Sequence, residues 1–569
     1  MSMKWNNWWI GAGIILALAL FLRLWDFGRI PYGLNRDEAA LAYNAFSIAK
    51  TGHDEHGVSW PVSILSFGDQ KLPGYVYTLM PFVQIFGLHP WVARLPSLIA
   101  GLVNIFLLGQ ILLIFLAHKK RSPRVLLSWL GMLTLTVSPW AIHFSRVAYE
   151  ANLATSFFLG GLLSFLLSLD ASKDRQRWLL PLTALGLNLS LLTYHSYQVF
   201  LPLLLVGVLA IYGRKILKFD RIGLIGGIGL TLLTFLLFWQ GGILQANTVK
   251  GSGLTLLTGQ HLALAYTPER AALNFLPSLG QKLVANKMTA GVGVLAQNWV
   301  QVWSPGWLFV AGSDHPIHNP GHLNNFPLWS LPLMIFGVLY LWNNRKLASA
   351  QLLFVWLLAA SLVPALTIVP QHTTRAIALF PALTILISLG LAELWNVWPL
   401  GKKIWKVMLP SFVGLILWST LLSFPRYLTQ NTRLDPQARQ DQYHHLAQAL
   451  AKYQPLSYQV ITQSPSSSPY IWYLFETSYD PNKYLTSHEN YPADVEGFVH
   501  VKRIENIYFE TLNWDDVENR AVNGVITLIL KPGEMPDSNL QKPEYHRLEV
   551  ITNEEGTTEY EVWQVATSR

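Results

Sequence analysis

The stretch WIGAGIILALALFLRLWDFGRIPYGLNRDEAALAYNAF, Trp9 to Phe46, decides what kind of protein this is. The apolar run near residues 8 to 25 is long enough to cross a bilayer, and no small-residue cleavage site follows it. It reads as a retained first helix rather than a secretory signal. Directly after it stand two neighbouring carboxylates, Asp37 and Glu38. Acids set against a membrane surface need a reason.

The whole chain fits that opening. Of its 569 residues 51% are hydrophobic and only 13% charged, with 23 Trp, which excludes a single soluble domain. The net charge of +8 hides a split: from residue 431 onward 11 Lys+Arg face 20 Asp+Glu, leaving 30 of 41 basic and 13 of 33 acidic residues for positions 1 to 430. A basic membrane part points to cytoplasmic loops facing anionic lipid, not to nucleic acid. With no Cys, disulfides and thiolate metal sites are excluded.

Apolar stretches of spanning length lie near 8–25, 94–117, 125–143, 151–169, 178–195, 197–213, 222–240, 327–342, 349–369, 376–395 and 407–424. Alternate connections carry the basic clusters HKKRSPR (118–124), ASKDRQR (171–177), GRKILKFDR (213–221), NNRK (343–346) and GKKIWK (401–406). The positive-inside rule puts these five in the cytoplasm, where an inside start and eleven spans place them. The expectation is an α-helical multi-pass membrane protein with its N-terminus in the cytoplasm, a transmembrane module over 1–429 and large outer loops at 26–93 and 241–326. Outer loops of that length are working elements more often than connectors. Residues 74–88, too short and interrupted for a span, read as an interfacial helix.

The tail, 430–569, changes character. Turn signals SPSSSP, DPN and KPGEMPDS separate the strand-like runs YQVITQ, GVITLILK and EYEVWQV, preceded by a helical QARQDQYHHLAQALAKY. The pattern predicts a small extracytoplasmic α/β domain.

Candidate chemistry gathers outside. Asn35 and Glu38 have capping-box spacing, so NRDE opens a short helix to about Lys50, with Gly52 after its end. Capping explains Glu38; it explains Asp37 less well, and an ionised carboxylate there can take a proton from an acceptor hydroxyl or amine. Glu150, at the mouth of the fourth span, is a second acid or the salt-bridge partner of Arg146 one turn earlier. Lys71, Arg94 and Arg375 are outer cations, read either as snorkelling side chains or, for Arg375 at the start of a span, as part of a phosphate site. His315, His318 and His322 beside Asp314 read as hydrogen-bonding loop histidines or a metal site, though Pro316 and Pro320 disfavour one helical face. Tyr194, His195 and Tyr197 read as an outer aromatic belt or a substrate wall.

NRDEAALAYNAFSIAKTG, QKLPGYVYTLMPFVQIFGLHPWVARLPSLIAGL, FSRVAYEANLATSFF and HTTRAIALFPALTILISLGLAEL, in that order, resemble the bacterial polyprenyl-phosphate-sugar glycosyltransferases of the C-type fold. These are similar to the protein O-mannosyltransferases (glycosyltransferase family 39) and the lipid A aminoarabinose transferases. The resemblance also takes in NWVQVWSPGWLFVAGSDHPIHNPGHLNNFPLWSLPLMIFGVLY and runs over about residues 20 to 395. It implies Asp37 as catalytic base with Glu38 its neighbour, Glu150 near the second-acid position, and Lys71 and Arg375 on the donor phosphate. Here the family's KPP is KLP, and the Arg94 segment ARLPS is read as structural. His315, His318, Tyr194 and His195 remain substrate-lining candidates, and no metal ligand or cofactor is assigned, a divalent metal staying open. The implied partners are a polyprenyl-phosphate sugar, membrane lipid and an outer acceptor that is a glycan, lipid or protein. Two rival readings are a carrier of lipid-linked sugars, which would place ionisable groups in mid-span, and a membrane-anchored glycan-binding module.

Overall fold

The computed structural model describes residues 5–67, 69–117, 124–243, 259–315, 317–319, 323–397, 402–433, 440, 442–462, 468–493, 499–553 and 555–566. The chain divides into two compact units, Met1–Phe27 with Pro96–Asn431, and Gly28–Leu95 with Thr432–Arg569.

The first unit is helical. Among the described residues six helical stretches are long and apolar enough to cross a membrane: Pro90–Phe115, which starts in the second unit, and Glu150–Ser168, His195–Ile216, Arg221–Gln240, Ala348–Ala365 and Pro410–Thr429. Trp8–Leu24, Arg124–Val137, Ser330–Asn343 and Leu379–Leu394 are shorter apolar helices. The chain is an integral membrane protein. The expected span near 178–195 forms a helix, Lys173–Leu191, but its first turns are KDRQR and it is not among the strongly apolar ones. The expected span 125–143 breaks at Ser138–Pro139, where the proline starts a second short helix, Pro139–Phe144. The stretch 241–326, expected as an outer loop, is more structured than that reading. It holds the helices Gly259–Ala272, Ser278–Val284 and Lys287–Val302, the last packing Leu295 and Trp299 onto the bundle core. Residues 244–258 lie outside the described residues.

At the centre runs Leu379–Val397, buried on every side from Leu379 to Ala392. A helix apolar nearly all round belongs there, and its Thr384 and Ser388 hydroxyls return to the Phe380 and Thr384 carbonyls. Its neighbours approach through glycine, as bilayer packing requires when no hydrophobic force drives helices together. A Cβ on Gly390 would overlap the Leu333 carbonyl oxygen, and one on Gly337 would overlap that of Leu386. Gly186 and Gly161 make the same close approach between Lys173–Leu191 and Glu150–Ser168, at 2.7 Å from a Gly186 Cβ to the Gly161 nitrogen.

The second unit joins Gly28–Leu95 to the tail. The NRDE helix runs Arg36–Thr51: Asn35 caps it with a full capping box to Glu38, and Gly52 ends it in the left-handed region at φ 77°. A hairpin of β1 (Ile64–Ser66) and β2 (Asp69–Lys71) leads through Leu72 into the helix Pro73–Phe86, with proline in its first turn. In the tail the expected helix is Gln442–Tyr453, and the three expected strands become β3 (Gln459–Thr462), β7 (Ile526–Leu530) and β9 (Thr558–Val565). Four shorter or more polar strands complete the sheet: β4 (His488–Asn490), β5 (Val501–Ile504), β6 (Ile507–Phe509) and β8 (Tyr545–Thr552). The order is β4-β5-β6-β3-β7-β9-β8, with β3 parallel to β6 and β7 and the flanks antiparallel. Buried at all five positions, ITLIL of β7 reads as a central strand and is one.

Gly390→Ala is expected to lower the unfolding temperature in detergent, by an overpacking penalty of about 1–3 kcal/mol. Gly414→Ala, where nothing lies within 4 Å of the added methyl, should not.

Candidate functional site

In the second unit the acid pair separates. Glu38 is buried and accepts from the Asn35 backbone N–H at 3.2 Å. Its carboxylate also meets Arg94, Nε to Oε1 at 3.0 Å and Nη2 to Oε2 at 3.3 Å. Arg94 is fully buried, not a snorkelling cation. Its remaining N–H groups go to carbonyls of the loop before the helix: Nη1 to Gly28 at 3.1 Å and Pro31 at 2.9 Å, Nη2 to Gly33 at 2.6 Å. Gly28 sits at φ 91° with the Trp91 Cβ 2.6 Å from where its own would be, so only glycine fits. Glu38 therefore serves the architecture.

Asp37 keeps 55% of its side chain exposed while its Oδ1 meets Lys71 Nζ at 2.8 Å. Lys71, by contrast, is 7% exposed, so it does not snorkel. It closes β2, and the KLP sequence still makes a strand-to-helix turn. A buried ammonium thus holds a half-exposed carboxylate at the start of a helix, where the helix dipole also favours negative charge.

In the first unit a second group forms around Arg375. The guanidinium is half-buried, and among the described residues no hydrogen bond or ion pair takes it up. Burial lowers its pKa, against which nearby Tyr194 acts in the opposite sense. Around it the rings of His315 and His318 lie 4.5 Å apart, and His372 lies 4.7 Å from His318 and 6.0 Å from His315. All three stay neutral at pH 7. Burial followed by Arg375 pushes His372 down to about 3 and lowers His315; burial followed by His372 holds His318 well below the usual imidazole range. Their hydrogen bonds are to neutral groups: His318 Nδ1 meets the Tyr149 hydroxyl at 3.0 Å and His372 Nδ1 the Thr374 hydroxyl at 2.8 Å, while nearby His143 Nε2 donates to the Ile317 carbonyl at 2.9 Å. Despite this crowding, no three His, Cys, Asp or Glu among the described residues are placed to hold a metal ion. His322 lies outside the described residues.

Glu150 opens the Glu150–Ser168 helix, partly buried, directly after Tyr149. Arg146, its expected partner, sends Nη1 to the carbonyls of Leu22 at 3.3 Å and Arg23 at 2.8 Å, and Nη2 to that of Asp26 at 3.3 Å. A cation thereby closes the end of the first helix. Tyr194 caps the His195–Ile216 helix, and His195 begins it, both partly buried. Tyr197 departs from expectation: it is fully buried, its hydroxyl 2.8 Å from that of Thr155, because a residue in the first turn faces the bundle. It is core, not outer wall.

Sequence reasoning passed over His143 and His372, although His372 stands three residues before Arg375. It also gave no sign of an apolar groove of about 1210 Å³ in this unit. Its lining takes in Trp299, Trp303, Leu341, Phe354 and Leu358, with Arg345 and Gln371. Gln371 stands four residues before Arg375.

No protein-family model matches the chain, and no curated protein matches it in sequence. Among solved structures, the crystal structure of ArnT from Cupriavidus metallidurans bound to undecaprenyl phosphate is similar over the whole length. The TM-score is 0.54 at 13% identity, covering 100% of each chain. The same protein in the apo state gives 0.52 at 13% identity and 99% of each. The Archaeoglobus fulgidus oligosaccharyltransferase tethered with an acceptor peptide gives 0.45 at 12% identity, over 83% of this chain and 63% of that one, too loose to bear on the fold. At 13% identity the likeness to ArnT speaks for fold and not for activity. The chain is an α-helical multi-pass membrane protein of the C-type glycosyltransferase fold with a small C-terminal α/β domain, the class the sequence leads one to expect.

Proposed function

We propose that the protein is a membrane glycosyltransferase that moves a sugar from a polyprenyl-phosphate donor to an outer acceptor. Asp37 takes the proton of the acceptor hydroxyl or amine as that atom bonds to the anomeric carbon. The carbon–oxygen bond to phosphate breaks, and the lipid phosphate leaves with the electron pair. Direct displacement inverts the anomeric centre. The observation that carries the reading is the ion pair of exposed Asp37 with buried Lys71, beside a Glu38 already committed to Arg94.

Other features support it. Arg375 is a half-buried cation with no hydrogen-bond or ion-pair partner among the described residues, surrounded by neutral histidines that leave its charge for an anion. An apolar groove in the same unit, with Gln371 in its lining, offers walls of the chemistry that suits a prenyl chain. The fold is that of ArnT, a protein crystallised with undecaprenyl phosphate. By this reading Arg375 meets the phosphate, Lys71 is the second cation, and Glu150 with Tyr194, His195, His315 and His318 line the substrates. The membrane is the bacterial inner membrane with the N-terminus cytoplasmic and the acids outside.

The direct test supplies purified protein in nanodiscs with undecaprenyl-phosphate-linked mannose, glucose and aminoarabinose, and a membrane extract from a deletion strain as acceptor. Asp37→Asn should lower sugar transfer by roughly 10²–10⁴-fold, the span of general-base contributions. Transfer at the wild-type rate in that variant would sink the assignment, and movement of intact donor across the bilayer would favour a carrier. Arg375→Gln should weaken binding of undecaprenyl phosphate alone, with Arg375→Lys in between. Acid should destabilise the fold through the histidines. Their native pKa values lie below the unfolded value near 6.5, so the unfolded state binds more protons and stability falls as pH drops from about 6.5. His372→Gln should shrink the loss of unfolding temperature between pH 6.5 and 4.5, a window above most carboxylate titration.

A further inference from the structure

The acidic tail has no part in the chemistry above, yet it packs on the helix that presents Asp37. We propose that the C-terminal domain is a positioning brace for that helix, acting through Trp472, Gln440 and Tyr470. The inference rests on Asp37 being the base, while the contacts themselves are read independently of it.

The first N–H groups of a helix have no partner within it. Here Asn35 serves the amide of Glu38 at 2.9 Å, and the tail serves that of Arg36, through Gln440 Oε1 at 2.9 Å. One residue before the cap, the Leu34 carbonyl accepts the Trp472 indole N–H at 2.7 Å. Trp472 is 1% exposed and lies flat on Tyr443, ring centres 4.5 Å apart at 17°. Two tail side chains therefore bond main-chain atoms one and three residues before Asp37. Main-chain bonds of this kind fix the backbone path, and so the direction in which the Asp37 side chain leaves it.

The tail also holds the far side of the same helix. Glu55, fully buried, accepts from Asn44 Nδ2 at 3.0 Å, Ser66 Oγ at 2.8 Å and the Tyr470 hydroxyl at 3.1 Å. Asn44 is on the Asp37 helix, so Tyr470 reaches it through a shared buried carboxylate. The Tyr43 hydroxyl donates to the Tyr479 carbonyl at 3.2 Å. Arg36 lies over the Phe67 ring at 4.8 Å, and that ring meets Tyr470 edge-on at 6.0 Å. Lys50 and Asp480 add an exposed pair, the weakest of these contacts. The buried bonds dominate, because a satisfied network in low dielectric resists rearrangement.

The experiment uses the full chain in nanodiscs. Trp472→Phe keeps the ring stack and loses the N–H; Gln440→Met loses the acceptor, and Gln440→Glu keeps one. Amide hydrogen exchange over residues 33–41 is read beside kcat and KM for transfer from the undecaprenyl-phosphate sugar that wild type consumes. Trp472→Phe and Gln440→Met should each raise exchange and lower kcat by roughly tenfold, since small misplacements of a reacting group are costly. KM for the donor should stay within about twofold, and Gln440→Glu should restore both readouts. Unchanged exchange overturns the proposal, and so does raised exchange with kcat intact. If Trp472→Phe loses the fold, seen as a collapsed unfolding transition, the milder Gln440 pair decides. Full activity of Asp37→Asn, with exchange still tracking the brace variants, overturns the base assignment and not the brace.

Discussion

The Arg94 guanidinium is the constraint on which the second unit hangs. One buried cation meets both oxygens of Glu38 and the carbonyls of Gly28, Pro31 and Gly33, so it joins the loop from the first helix to the start of the next. Removing one partner from a buried pair typically costs about 3–5 kcal/mol, since the other charge is left without compensation. Lysine could not stand in, because a point charge lacks the planar fork that serves four groups at once. Fixing Glu38 in this way leaves its neighbour turned outward, and the two carboxylates of one dipeptide acquire opposite fates.

A parallel economy governs the first unit. Three histidine rings within 6.0 Å of one another would repel if charged, and burial beside Arg375 keeps them neutral. The local positive charge is therefore concentrated in one side chain instead of spread over four. These groups sit on connections between helices, and helices of the same unit pack through glycines: a Cβ on Gly390 would overlap the Leu333 carbonyl.

What the sequence made legible was local. Asn35, Glu38 and Gly52 announce their helix within seventeen residues, and the structure follows them to the cap. The apolar runs are equally plain, because a bilayer demands length and apolarity from each segment separately. Partnerships between segments stayed hidden. Lys71 is 34 residues from Asp37, and nothing in QKLPG says that its side chain turns inward. The histidine group draws on two stretches more than fifty residues apart, and Tyr197 was misread because an aromatic near a helix start looks the same whether it faces lipid or core. The helices within 241–326 were obscured by polar residues that masked their period.

The contacts between the Asp37 helix and the tail also set an order of events. Arg36 and Gln440 are 404 positions apart, and Leu34 and Trp472 are 438 apart. During synthesis the helix leaves the ribosome early, yet the Arg36 amide and the Leu34 carbonyl find their partners only after nearly every membrane segment has been made. Contacts of such sequence separation form late, because chain closure must precede any gain from them. A chain without its tail would thus carry Asp37 on a helix capped by Asn35 alone, with the Arg36 amide and the Leu34 carbonyl still waiting for Gln440 and Trp472.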